Sequence, residues 1–328
     1  MGKLYNEETK ERFLSTYENE QTQTTIRNVF FKTELVESVL EKDLYDFTVE
    51  ELGKAIENTN PHTANVARSN GRFLSQYISW AIESRLRKNA LNPLKGVVPD
   101  WYDRFIDKNK KIHYSFKEFI DLLEQMENGQ DQAFLFMIWE GVMGERFSQL
   151  QELTYDDVNK DNKTVYIKER DTHISVSDEC IKYIEKAYNE KTYYQYNKNT
   201  KEFVEKDLLP SNYIFKNVKS PRATEGQMVG MGVFYNRLHI MKEQLDLEYL
   251  TPMAIKQSGM IYEAIKQYEK DNVLAYDQLA EVGKKYDYST ILNQNTGEPY
   301  FNTYLMKEFV NENNIKELYD IDLEIKLR

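Results

Sequence analysis

The chain has one cysteine, few prolines and glycines, and no long apolar run. Its single cysteine, Cys180, excludes an intramolecular disulfide and any metal site built from several cysteines. With 7 prolines and 13 glycines among 328 residues, it has neither a fibrous nor a low-complexity composition. No apolar run approaches the ~20 residues of a membrane-spanning helix, and the first residues lack the apolar stretch of a secretory signal. We therefore expect a soluble cytoplasmic protein with no membrane partner.

Positive charge is scarce overall but concentrated in one stretch. The 43 Lys and Arg residues against 54 Asp and Glu residues give a formal net charge of -11, which argues against indiscriminate nucleic-acid binding. Residues 61–98 nevertheless contain six basic residues and one acidic residue, and a local basic face is compatible with specific DNA binding. The basic residues of this stretch are Arg68, Arg72, Arg85, Arg87, Lys88 and Lys95.

The N-terminal part of the chain shows the periodicity and start signals of helices. Apolar residues at helical spacing predict one helix over residues 6–17 and a second that starts at about residue 24. Thr48 and Glu51 form a capping box, in which a hydroxyl and a carboxylate satisfy unpaired backbone amides, and they predict a short third helix that ends near residue 60.

A long fourth helix carries the first candidate DNA contacts. Thr63 is a helix cap, and the helical pattern continues to about Asn89, shortly before Pro93, which cannot continue the hydrogen-bond ladder. The polar face of this helix presents Arg68 and Arg72. Taken alone, such a stripe is usually a solvated helix face, so its meaning depends on the rest of the chain.

The second half of the chain mixes helices with short strands. A polar, charged stretch over residues 99–111 is interpreted as a linker, and a Tyr-rich insertion over residues 188–206 has no clear structure. The other predicted elements are a helix capped at Ser115, a buried helix over 133–143, a hairpin of strands 163–167 and 173–176, a helix capped at Ser177, a helix that starts at Thr251-Pro252, and a charged helix over 305–328.

Three motifs of the second half follow one another in a distinctive order. Residues 144–150, Gly-Glu-Arg-Phe-Ser-Gln-Leu, precede the Tyr-Asp-Asp-Val of residues 155–158, and the hairpin with Lys168 and Arg170 comes next. This order resembles that of the tyrosine recombinases, the phage-integrase family, in which an arginine of the first box clamps the scissile phosphate and a hairpin lysine is catalytic. The resemblance gives Arg146 the phosphate contact and places Lys168 or Arg170 at the position of that lysine.

The resemblance covers most of the chain and implies its fold class. The expected fold is mostly α with a small β-sheet, arranged as a two-domain clamp. Residues 1–98 would form the helical core-binding domain, residues 99–111 the linker, and residues 112–328 the α/β catalytic-like domain. Asn92-Pro93 resembles the usual end of the core-binding domain.

The family's chemistry needs residues that this chain has only in part. A tyrosine hydroxyl attacks a DNA phosphodiester, arginine forks hold the phosphate oxygens, and lysine and histidine move protons without a metal. Where the family has His-x-x-Arg-His at a helix start, this chain has Met253, Lys256 and Gln257, and Lys284 replaces a later histidine. Methionine cannot transfer a proton and lysine lacks the arginine fork, so we expect that catalysis has been lost and that the protein is not an enzyme.

The nucleophilic tyrosine of the family has no clear counterpart here. Asn293 lies at the expected spacing, and only an insertion would allow Tyr300 or Tyr304 to serve. An active, divergent integrase that uses one of these tyrosines is an alternative interpretation. A helical protein-interaction module, in which the basic stripe is incidental, is a third.

The whole sequence also resembles an integrase-derived repressor of prophage lytic genes. This resemblance implies a sequence-specific transcriptional repressor that maintains lysogeny on the nucleoid of a bacterial host, with double-stranded DNA at phage operator sites as its partner. An antirepressor or other regulatory protein, and a homo-oligomer on DNA, are left open as further partners. No cofactor or metal is expected, and structural roles are expected for His62, His113, His173 and His239, which lack metal-ligand spacing. The residues expected to contact DNA are Arg68, Arg72, Arg146, Lys168 and Lys256.

Overall fold

The chain forms two compact units, Met1–Lys111 and Ile112–Arg328. The computed structural model describes residues 4–61, 63–106, 111–197, 200, 202–247, 249–292, 294 and 297–326. Within these ranges, no helix combines the length and the apolar character needed to cross a bilayer.

The N-terminal unit is helical. Its helices are α1 (Glu7–Leu14), α2 (Glu20–Leu40), α3 (Val49–Asn58) and α4 (Ala64–Glu83), with 3-10 turns at Leu44–Asp46, Pro93–Gly96 and Pro99–Phe105. The predicted capping box of Thr48 and Glu51 is present, and the Thr63 hydroxyl caps α4 by accepting a hydrogen bond from the Val66 amide.

Helix α4 ends at Glu83, and the predicted continuation to Asn89 is wrong. The Arg85 amide donates to the Ile82 carbonyl and the Leu86 amide donates to the Ala81 carbonyl, while Arg85 adopts a left-handed φ of 58°. This is a Schellman motif, in which the left-handed position is usually glycine. Because an arginine occupies that position, the sequence lacks the glycine that usually marks the end of a helix.

The predicted linker is in large part a packed segment of the N-terminal unit. Trp101, Tyr102 and Phe105 pack against the core of this unit, so residues 99–106 are not a linker. Two glycines allow the close approach: a Cβ on Gly71 would lie 2.1 Å from Tyr102, and a Cβ on Gly53 would lie 2.7 Å from Phe105. Residues 107–110 lie outside the described residues.

The C-terminal unit contains nine α-helices and nine short strands among the described residues. The helices are α5 (Phe116–Glu124), α6 (Gly129–Trp139), α7 (Ser148–Gln151), α8 (Asp178–Asn189), α9 (Met231–Leu245), α10 (Pro252–Asp271), α11 (Tyr276–Lys285), α12 (Thr303–Met306) and α13 (Glu312–Tyr319). The strands are β1 (Val158–Asn159), β2 (Thr164–Ile167), β3 (Thr172–Ser175), β4 (Thr192–Asn197), β5 (Glu202–Asp207), β6 (Leu274–Ala275), β7 (Thr290–Leu292), β8 (Pro299–Phe301) and β9 (Ile325–Lys326).

The C-terminal unit is organised around α6, whose residues are all buried. Beside it lies a three-stranded antiparallel sheet of order β1-β2-β3, in which Val165 pairs with Ile174. The predicted hairpin and the caps of α5, α8 and α10 are confirmed. The Tyr-rich insertion contains the end of α8 and the hairpin β4–β5.

The predicted helix over residues 305–328 is only partly correct. Asn311 caps the short helix α13, which ends where Asp320 takes a left-handed φ of 56°. The chain then becomes extended, and β9 pairs in parallel with β6. A strand two residues long leaves almost no pattern in the sequence, so the pairing is set by tertiary contacts. The whole fold is mostly α with small sheets, as the sequence predicts.

Candidate nucleic-acid interface

Arg146 lies in a loop between α6 and α7 whose backbone is unusual. Gly141, Gly144, Arg146 and Phe147 have φ values of 96°, 70°, 52° and 67°. At Gly144 a Cβ would lie 2.2 Å from the Ser148 hydroxyl, so glycine is required there. A left-handed conformation costs a non-glycine residue ~1–2 kcal/mol. The two successive non-glycine residues must therefore be held by their surroundings.

The two strained residues have opposite environments. The Phe147 ring is buried, with its centroid 5.4 Å from that of Phe134 and 5.5 Å from that of Phe234. The Arg146 side chain is 61% exposed, and its nearest described carboxylate, Glu145, lies 3.8 Å away. The loop thus anchors one residue in the core and presents a guanidinium to solvent.

Lys168 lies in the turn between β2 and β3, where it already has protein partners. Its ammonium group lies 2.7 Å from the Asp157 carboxylate and donates a 3.1 Å hydrogen bond to the Glu152 carbonyl. The Lys168 hydrogen bond contributes to holding the pKa of Asp157 below its usual value, against the effect of burial. A phosphate would have to compete with this carboxylate for Lys168.

Arg170 leaves the same turn in a different direction and is largely buried. Its guanidinium donates hydrogen bonds to the Gly141 carbonyl at 2.6 Å, to the Gln149 side-chain oxygen at 2.8 Å and to the Lys285 carbonyl at 3.0 Å. Burial lowers the pKa of Arg170, and Asp287 opposes this effect from 3.7 Å. Arg170 thus connects the hairpin, the Arg146 loop and the end of α11.

Lys256 lies on the first turns of α10, half-buried and close enough to Arg170 to be affected by its charge. Burial, together with the charge of Arg170, lowers the pKa of Lys256 to about 8, while Asp287 acts in the opposite direction. Lys256 makes no hydrogen bond or ion pair with another described residue. Lysine remains the better cation for an incoming anion here, because Arg170 is committed to protein acceptors.

The neighbouring positions of α10 and α11 carry side chains that differ from the histidines of the family. Met253 has an exposed thioether, which can neither give nor take a proton. The Gln257 side-chain oxygen lies 3.2 Å from the Nε2 atom of His113, and burial lowers the pKa of this histidine. Lys284 is exposed on α11.

The two candidate tyrosines lie on the C-terminal elements. Tyr300 is on β8, and Tyr304 is on α12 with 79% of its surface exposed. Neither hydroxyl makes a hydrogen bond to another residue in the described ranges. Asn293, the residue at the expected spacing, lies outside the described residues.

The basic stripe of the N-terminal unit lies on α4. Arg72 is exposed, with its guanidinium over the Phe73 ring, 5.6 Å from the centroid. Arg68 forms a 3.2 Å ion pair with Asp103, which comes from the segment that the sequence suggested as a linker. Arg72 is therefore the more available of the two arginines.

The histidines do not form a metal site in the part of the chain that the structure describes. No group of three or more His, Cys, Asp or Glu residues there could hold a metal ion. His173 packs against Tyr166 and His239 lies 3.2 Å from Glu243, whereas His62 lies outside the described residues.

The structure brings together some of the predicted site residues and adds Gln149. Lys256 lies within the electrostatic influence of Arg170, and Arg170 contacts the loop that carries Arg146. In the sequence, Arg170 is only an alternative to Lys168, and no role is indicated for Gln149. The available signal for Gln149 was its place in the box of residues 144–150. Arg68 and Arg72 belong to the other unit.

Comparison with known families identifies both units. Residues 113–320 match the family described as "MrpR, C-terminal catalytic domain", and residues 4–83 match the one described as "MrpR, N-terminal core-binding domain". The chain is 28% identical over 331 residues to the SPbeta prophage-derived protein YopR of Bacillus subtilis (strain 168), which covers 98% of this chain and 99% of that protein.

Three solved structures that the comparison found to resemble this chain are integrases or recombinases. A lambda integrase dimer bound to a COC′ core site is 12% identical, with a TM-score of 0.47, and the match covers 97% of this chain and 96% of that one. A Tn1549 transposon integrase in complex with circular intermediate DNA is 11% identical, with a TM-score of 0.47 and coverage of 94% and 97%. The XerA recombinase is 11% identical, with a TM-score of 0.42 and coverage of 96% and 98%.

Proposed function

The chain belongs to the MrpR family and has the two-domain tyrosine-recombinase fold, and from this we propose that it is a sequence-specific DNA-binding repressor. It would bind operator sites of a prophage and maintain lysogeny, a role that the prophage origin of the YopR relative supports. In this proposal the recombinase chemistry has been lost, and the part of the site that grips phosphate has been kept.

The observation that carries the proposal is the availability of two cations in the C-terminal unit. Arg146 is exposed, and half-buried Lys256 has no ion-pair partner among the described residues. A partly buried cation without a counter-ion is costly unless an anion neutralises it. The DNA backbone offers such an anion at every nucleotide. Lys168 would contribute less, because it would first have to leave Asp157.

The loss of catalysis is supported by the groups around these cations. A recombinase needs a proton donor and an activated tyrosine, and such sets fail non-additively when members are lost. Met253 cannot transfer a proton, and the Gln257 side-chain oxygen already forms a hydrogen bond with His113. Tyrosine has an unperturbed pKa of about 10 and needs help to act as a nucleophile near neutral pH.

The N-terminal unit would supply a second set of DNA contacts. Arg72 projects from α4 into solvent, and Arg68 can join it when its ion pair with Asp103 opens. Arginine can fix the register through phosphate or read a base edge through its fork. A repressor of this kind would be cytoplasmic and associated with the nucleoid. Release by an antirepressor, or self-association on the operator, would be compatible with this role.

The decisive experiment measures both DNA binding and DNA cleavage by the same protein. Genome-wide binding-site sequencing in a lysogen would supply the operator, and fluorescence anisotropy would measure affinity for it across a salt series. We expect salt-dependent, sequence-specific binding, repression of a reporter by the bound protein, and no covalent adduct on a nicked suicide substrate.

Substitution of the tyrosines separates the proposal from its alternatives. Tyr300→Phe and Tyr304→Phe should leave binding and repression unchanged. A covalent adduct that disappears in either variant would overturn the proposal in favour of a divergent integrase. Failure to bind any recovered DNA would instead favour a protein-interaction module.

A further inference from the structure

Arg170 is a buried cation whose hydrogen bonds all go to neutral groups. Its side chain is 10% exposed, and two of its three acceptors are the backbone carbonyls of Gly141 and Lys285. Its nearest described carboxylate, Asp287, is 65% exposed and lies 3.7 Å from the Nε atom, which makes no hydrogen bond in the structure. Burying a guanidinium is costly when its nearest counter-ion is exposed, and the three hydrogen bonds offset part of this cost.

Two of the Arg170 hydrogen bonds join the two ends of the Arg146 loop. One Arg170 nitrogen donates both to the Gly141 carbonyl, which opens the loop, and to the Gln149 side chain, which lies on α7 beyond it. The same Gln149 oxygen also accepts a 3.1 Å hydrogen bond from the Met143 amide. The loop over residues 141–149 is therefore closed by side chains at its base.

The closure explains how the strained residue at the loop tip is maintained. Arg146 is left-handed and exposed, so its own side chain contributes little to holding its backbone. Such conformations persist when the surrounding structure over-determines them. Phe147 in the core holds one side of the tip, and the pair of Arg170 and Gln149 holds the base.

Arg170 itself is poorly placed to bind an external phosphate. All three hydrogen bonds that it makes with described residues are to groups of the protein, and little of its surface reaches solvent. We propose that Arg170 is a positioning residue, which fixes the loop over residues 141–149 so that Arg146 meets a DNA phosphate in one defined geometry. This inference rests on the proposed function, since it assumes that Arg146 contacts DNA.

The test is a double-mutant cycle on DNA binding. Arg146→Ala should weaken operator binding about tenfold or more and reduce the salt slope by about 1, as for one lost phosphate contact. Arg170→Met should produce the same two effects, although Arg170 touches no DNA. The double variant should bind no more weakly than Arg146→Ala alone, because both changes remove the same contact.

Two further variants separate geometry from charge. Arg170→Lys keeps the charge but not the fork that reaches Gly141 and Gln149 together, so it should also weaken binding. Lys160→Met, in the turn between β1 and β2, removes a surface cation that is paired with Glu185, and it should leave affinity and slope unchanged. Normal affinity for Arg170→Lys would show that charge alone matters and would overturn the inference.

A milder variant keeps the test valid if Arg170→Met does not fold. Gln149→Met removes the acceptor shared by Met143 and Arg170 but leaves the two Arg170 bonds to carbonyls. It should weaken binding partially and non-additively with Arg146→Ala. If Arg146→Ala changes neither affinity nor slope, the proposed function of this site fails. If Arg146→Ala weakens binding but the Arg170 and Gln149 variants do not, only the positioning role fails. The positioning role also fails if the losses of affinity in these variants add to the loss in Arg146→Ala.

Discussion

Lys256 lies within the electrostatic influence of Arg170 in the C-terminal unit: burial lowers the pKa of Lys256, and the charge of Arg170 lowers it further. Asp287, the carboxylate that opposes this effect, is mostly exposed and therefore strongly screened. The pair therefore leaves a positive potential that the described residues neutralise only in part. A phosphate at Lys256 would relieve this repulsion and raise the pKa of the lysine again.

The pH dependence of DNA binding should report on Lys256. Its pKa of about 8 in the free protein means that it is charged at neutral pH and loses its proton as the pH rises above 8. A bound phosphate favours the charged form, so binding above that pH takes up a proton, and affinity should fall between about pH 7 and 9. Anisotropy at constant ionic strength would measure this.

Lys256→Arg provides the control for this pH dependence. Arginine stays charged across the range, so its profile should be flatter than that of the wild type. An equal fall of affinity in the variant would assign the pH dependence to another group.

Arg146→Gly should separate the stability of the protein from its function. Glycine adopts the left-handed φ of 52° without strain, so the variant should be more stable than Arg146→Ala by about 1 kcal/mol. Both variants should bind operator DNA more weakly, because both lack the guanidinium. Denaturant unfolding would measure the first effect and anisotropy the second. Equal stabilities would show that the backbone relaxes when the arginine is removed.

The two arginines of α4 should contribute unequally to binding. Arg72→Ala should cost ~1–3 kcal/mol of binding free energy, and Arg68→Ala should cost less, because Asp103 already neutralises Arg68. Asp103→Asn should strengthen binding by releasing Arg68. Lys54→Ala removes an exposed charge from α3 and serves as the control. Weaker binding by Asp103→Asn, with the fold intact, would contradict this assignment.

The Schellman motif at the end of α4 predicts a stabilising substitution. Arg85 holds a left-handed φ of 58° at the position where glycine is usual, so Arg85→Gly should stabilise the N-terminal unit by about 1 kcal/mol. Arg85→Ala, which removes the side chain but keeps the strain, should not. Thermal unfolding of the three proteins would test this, and a gain in both variants would point to relief of charge repulsion instead.

Local signals account for most of the helix starts that sequence analysis placed correctly. Thr48, Thr63, Ser115, Ser177 and Thr251 each accept a hydrogen bond from an amide three residues ahead. Such a cap needs only its own neighbours, so the sequence alone contains it. The end of α4 was missed because Arg85 stands where the glycine signal would be.

Packing between distant segments could not be read from the chain. Trp101, Tyr102 and Phe105 lie in a stretch whose charges suggest a linker, and they are held by contacts with Gly53 and Gly71 of α3 and α4. Neither glycine signals this role, since its meaning depends on which ring approaches it. The sequence therefore indicated two units but assigned to a linker aromatic residues that pack in the N-terminal unit.

The sequence by itself determined the family, the starts of most helices and the hairpin of residues 163–176, because these depend on residue types at fixed spacing. Only the tertiary structure decided which partners each cation has and how deeply it is buried. Lys168 and Arg170 are two residues apart in one turn, yet the first meets Asp157 and the second meets Gly141 and Gln149. A side chain's partners come from segments far away in sequence, and burial, which lowers the pKa of Lys256, exists only once those segments are assembled.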